Sequence, residues 1–100
     1  MKITIDQLIK MKEQKANPFG TRYNFLIMNI ENDLLSKSDG EARVKSLLAD
    51  YEDKAKLFIV HQFMRLRNEH IANQLVEILS IDKNDTFLED KYASELLEVI

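Results

Sequence analysis

From Glu41 to Ile100 the chain contains neither glycine nor proline; its two glycines and single proline stand earlier, at Gly20, Gly40 and Pro18. These two residue types are the strongest local interruptions of regular structure. Sixty consecutive residues are therefore free to be helical, and the expected fold is all-α. Length sets the next limit. A single helix over residues 41–79 would run ~58 Å at 1.5 Å per residue, whereas a 100-residue domain has a radius of gyration of only ~13 Å. The helix must either break, with Asp50–Asp53 as the expected place, or project and be covered by a second copy. The apolar run Leu57–Val60 could form a buried strand, but no other segment offers it a partner of comparable quality.

Apolar spacing and end signals divide the chain further. Thr4 and Gln7 form a capping box for a first helix, with Ile3 and Leu8 at the staple positions on either side. Asn17-Pro18-Phe19-Gly20 ends that helix, because proline biases the residue before it away from helix. Thr21 can cap a second helix over about 22–36. There Tyr23, Leu26, Ile27, Ile30 and Leu34 make one stripe, and Phe25, Met28 and Leu35 make a second face. A helix apolar on two sides is either central in a bundle or half-covered by another chain. Ser38 with Glu41, and Thr86 with Glu89, read as further capping boxes. The second of these predicts a last helix over about 87–99. The prediction is a four- or five-helix antiparallel bundle, in one arrangement completed by dimerisation.

With 100 residues the chain fits one domain, residues 1–100. Hydrophobic residues make up 45% and charged residues 31%, with a net charge of −3, a balance that excludes disorder. The absence of cysteine excludes disulfides, thiolate metal sites and a cysteine nucleophile. Apolar runs reach four residues, Phe25–Met28 and Leu57–Val60, against the ~20 needed to span a bilayer. No basic-then-apolar leader is present, so the expected location is cytoplasmic, with no membrane partner. Charge is arranged in alternating blocks: residues 1–30 carry +3, 31–53 carry −4, 54–75 carry +3 and 76–100 carry −5. Such blocks suit helices that lay opposite charges side by side.

Several motifs fail on their chemistry. His61 and His70 are nine residues apart, on opposite sides of a helix, so they cannot jointly hold a metal. Asp82-Lys83-Asn84-Asp85-Thr86 opens like a calcium-binding loop, but Phe87 and Ala93 stand where glycine and a bidentate glutamate are required. Ile71-Ala72 with Leu75 and Ser80-Ile81-Asp82 echoes a helix-turn-helix. Its would-be recognition helix carries Glu89, Asp90, Glu95 and Glu98, the wrong sign for a DNA backbone. No metal and no cofactor are expected.

Phe63-Met64-Arg65-Leu66-Arg67-Asn68-Glu69-His70 is the one stretch with catalytic vocabulary. Its Arg65-x4-His70 spacing resembles the Arg-x4–6-His motif of HEPN-type ribonucleases. The resemblance implies a small, often dimeric helical bundle, with the Arg and His acting on an RNA phosphate and 2′-hydroxyl across the dimer cleft. The chain departs from the pattern at Leu66, where the family usually has a polar residue. After the Arg67-Asn68 pair, Asn73 and Gln74 occupy the places where a His would be needed.

Leu96-Leu97-Glu98-Val99-Ile100 is unusually apolar for a chain end and is expected to dock on the core, on a partner or on a second copy. The functional expectation is a non-catalytic helical module that binds another protein, such as an inhibitor, adaptor, chaperone-like protein or assembly subunit. Small acidic cysteine-free helical proteins of phages and mobile elements are its class analogy. Arg65, Arg67, His70, Leu96, Leu97, Val99 and Ile100 are its predicted partner-binding residues, and a homodimer is expected. The alternatives are a HEPN-like ribonuclease using Arg65 and His70, or a nucleic-acid binder acting through residues 54–67, the less favoured partner class.

Overall fold

The sixty-residue stretch without glycine or proline breaks repeatedly. The computed structural model describes residues 1–17, 20–36 and 39–96. Its helices are α1 (Ile5–Glu13), α2 (Arg22–Leu35), α3 (Gly40–Leu48), α4 (Asp53–Arg65), α5 (Glu69–Ile78) and the single turn α6 (Asp90–Ala93), which tightens into a 3-10 turn at Ser94–Leu96. A short antiparallel ladder pairs Lys15 with Thr21 and Asn17 with Gly20 between α1 and α2. The fold is an all-α bundle. Its principal extents of 31 × 31 × 29 Å leave no room for an unbroken helix over 41–79.

The first break falls where it is expected. Ala49–Glu52 links α3 to α4, and the chain start fastens it: Ile3 N–H donates to the Asp50 carbonyl at 2.7 Å, and Glu52 N–H donates to the Ile3 carbonyl at 2.8 Å. The second break, Leu66–Asn68, has no glycine or proline to announce it. Arg67 there takes a left-handed backbone, φ 59°. Its N–H reaches the Met64 carbonyl at 3.0 Å, and Asn68 N–H reaches the Phe63 carbonyl at 2.9 Å. This is the Schellman pattern of helix termination. Asn68 then caps α5 through its side-chain oxygen, which accepts from Ile71 N–H, while its amide nitrogen donates to Glu31 on α2. Ser80 repeats the device after α5, at φ 55°, with Ile81 N–H donating to the Val76 carbonyl at 3.0 Å.

The first capping box forms as predicted: Gln7 N–H donates to Thr4 Oγ1, and Thr4 N–H donates to Gln7 Oε1. Ser38 lies outside the described residues, and Asp39 stands at the cap of α3 without a side-chain capping bond. Gly40 is needed there because a Cβ would overlap the Asp33 backbone carbonyl of α2. The third box is corrected. The Thr86 hydroxyl donates to Lys83 O instead, and the Glu89 carboxylate is occupied by Lys54 at 2.8 Å. The last helix therefore starts at Asp90 and is one turn long within the described residues.

The predicted stripe of α2 is the core. Tyr23, Leu26, Ile27, Ile30 and Leu34 are all buried, together with Val44, Leu48, Ala55, Phe58, Ile59, Phe63, Ile71 and Leu75. Phe58 meets Tyr23 edge to face at 5.9 Å between ring centres, a favourable aromatic geometry. α2 packs on α1, α3 and α5, while α4 packs on α1, α5, α6 and the final 3-10 turn.

Candidate protein-binding surface

The second apolar face of α2 is not covered. Phe25, Met28 and Leu35 are 37%, 50% and 64% exposed. From Tyr23 to Ile30 the helix has no charged residue, in a chain where almost one residue in three is charged. The exposed side of α2 between Arg22 and Glu31 is therefore Phe25, Met28 and the amide Asn29. Depletion of charge with enrichment of aromatic and Met side chains is the composition of an interface centre.

Beside this face, Met11 of α1, Phe25 and Asn29 of α2, Leu47 of α3 and Tyr51 of the α3–α4 link line a groove of about 320 Å³. Leu47 is 39% exposed on its wall. The groove holds one cation, Arg22, which makes no hydrogen bond or ion pair among the described residues. Burial pushes the Tyr51 phenol above its ordinary range, with Arg22 pulling it down and Asp50 pushing it up. The groove is thus an apolar trough with one guanidinium in its lining.

Besides Met64 and Leu66, at 47% and 43%, a further exposed apolar side chain is Phe87, at 77%. It sits on an irregular strap, residues 81–89, whose neighbours are held firmly. The Thr86 carbonyl can only accept, so His61 Nε2 carries the hydrogen and donates to it at 2.6 Å. Leu88 is buried. The Lys54 ammonium bonds the Glu89 carboxylate, which holds Glu89 below the usual carboxylate range and raises Lys54. A cleft of about 270 Å³ lined by Asp53, Lys54, Asp85, Phe87 and Tyr92 lies alongside.

The residues singled out in the sequence are dispersed. Arg65 ends α4, Arg67 forms the left-handed corner and His70 lies in the first turn of α5; all three are solvent-exposed. None of their side chains makes a hydrogen bond or ion pair among the described residues, and the grooves above are lined by other side chains. Leu96 is 3% exposed, within the chain's own core; Leu97, Val99 and Ile100 lie outside the described residues. Arg22, Leu47 and Phe87 were not singled out. The available signal was apolar residues that fall off the core stripes, as Phe25 and Met28 do.

Among the described residues no helix is long and apolar enough to cross a membrane, and no group of His, Asp and Glu could hold a metal ion. No family model matches the chain, and no curated protein or solved structure shows detectable similarity to it.

Proposed function

We propose that the chain is a non-catalytic helical module that binds another protein through the exposed face of α2 and the adjoining groove. The observation that carries this reading is the uncharged run Tyr23–Ile30, with Phe25 and Met28 on its exposed side. Apolar side chains left outside the core in this way mark contact surfaces when they are contiguous. An inhibitor, an adaptor or an assembly subunit would each use such a face, and the setting proposed for it is the cytoplasm.

The test is affinity capture from the native host with the wild-type chain and a Phe25→Ser/Met28→Ser variant. A protein retained by the first and lost from the second supports the reading; identical sets from both overturn it. Incubation of the purified protein with RNA supplies the catalytic arm. Cleavage abolished by Arg65→Ala or by His70→Ala would make the chain a nuclease and end the non-catalytic reading.

A further inference from the structure

We infer that the groove receives Phe87 of a second copy of this chain, reciprocally, in a two-fold dimer. The inference rests on the proposal that the α2 face is a binding surface and names its occupant. Two properties of the chain complement each other. The groove is apolar, through Met11, Phe25 and Leu47, and its lining includes Arg22, which has no hydrogen bond or ion pair among the described residues. Lys10 and Lys12 flank Met11 in sequence, within the +3 segment. Phe87 is an apolar knob within the −5 segment, with Asp85 and Asp90 near it in sequence and Glu89 already paired with Lys54 and Lys91. Inserting the ring brings the acidic segment of one copy toward the basic segment of the other.

The knob is preorganised, which lowers the ordering entropy lost on association. The His61 bond to Thr86 O and the buried Leu88 fix the backbone on both sides of Phe87. The two surfaces draw on neighbouring stretches of the chain. Tyr51 lines the groove, while Asp53 and Lys54 line the cleft beside Phe87. A two-fold axis makes each contact twice and closes the assembly. A head-to-tail contact between distant patches would instead propagate into open chains.

Sedimentation equilibrium at tens of micromolar protein and low salt tests the inference. The expected mass is twice 11.7 kDa. Phe87→Ser and Leu47→Asp should each weaken the dimer at least tenfold with an unchanged helical spectrum. Phe25→Ser replaces Leu47→Asp if the latter loses helix. Mixing the two single variants should restore association, because one intact contact remains between the knob of one and the groove of the other. The chain has no cysteine of its own, so a mixture of Leu47→Cys and Phe87→Cys should oxidise to a mixed disulfide dimer. A wild-type monomer, or a dimer indifferent to both Phe87→Ser and the groove variants, overturns the inference. A monomer that still captures a host protein through Phe25 and Met28 leaves the proposed function standing, with a different occupant.

Discussion

The Tyr23 hydroxyl donates a 2.7 Å hydrogen bond to Oε1 of Gln62, 39 residues away, inside the core. Gln62 Nε2 in turn reaches the Leu96 carbonyl at 3.5 Å. Two polar side chains, each almost fully buried, thereby tie α2 to α4 and to the 3-10 turn that closes the described chain. Neither could be buried alone without a penalty for its lost hydration.

Tyr23→Phe should accordingly cost about 1–3 kcal/mol, because it leaves Gln62 Oε1 buried without its donor. Pairing it with Gln62→Met should cost less than the two single changes added together, since neither member of the Tyr23–Gln62 bond is then left buried without the other. Thermal unfolding reads both. About 1 kcal/mol corresponds to roughly 4–8 °C in a chain of this length.

Burial drives the Tyr23 phenol far above its ordinary value of 10.0, and the Tyr51 phenol moves the same way. A raised folded-state pKa contributes stability that is fully present below the unfolded value and disappears as pH rises above it. Urea midpoints should therefore fall as the solution passes pH ~10. Tyrosinate absorbance from these two residues should appear together with unfolding. Tyr23→Phe should flatten part of that alkaline slope, and an unchanged slope would show that Tyr23 ionises without unfolding the chain.

The bundle and its core were legible because they follow from apolar period: every member of the predicted α2 stripe is buried. The corners were legible only where local chemistry announces them. Thr4–Gln7 closes its box from side chains three residues apart, whereas Thr86–Glu89 has the same spacing and does not: the Thr86 hydroxyl turns back to the Lys83 carbonyl, and the Glu89 carboxylate is taken by Lys54 of α4. Leu66–Asn68 ends α4 without glycine, so the change of apolar side after Val60 reads in sequence as an oversized helix. The candidate surface was half-legible. Phe25 and Met28 stand out by period, but Leu47 lies on an apparent core stripe, and its exposure depends on where α3 packs.

Arg67 and Ser80 occupy left-handed positions, φ 59° and 55°, in which glycine is the favoured residue. The conformation costs an L-residue roughly 1–2 kcal/mol, partly offset for glycine by its greater freedom when unfolded. Arg67→Gly and Ser80→Gly should each stabilise the fold by about 0.5–1 kcal/mol, additively, since they cap different helices. Chemical denaturation checks this. A loss of stability at position 67 would mean that the Arg side chain contributes more than its backbone conformation costs.

The last prediction separates the two tethers of the strap that carries Phe87. Lys54 and Glu89 form an ion pair in the open, where water and salt screen the attraction. Removing it by Lys54→Ala should leave the unfolding midpoint nearly unchanged. The His61–Thr86 contact is shorter, partly buried, and supplies the donor for a backbone carbonyl in a segment without regular structure. His61→Ala should therefore cost about 1 kcal/mol or more. Its effect on hydrogen exchange should concentrate in residues 82–89, because α4 keeps its own ladder and Leu88 still packs beneath. A uniform rise in exchange across the chain would instead show that the strap unfolds only with the whole domain. In the proposed dimer the same substitution should weaken association with the Phe87 ring still present, since a mobile knob must be ordered each time it enters the groove.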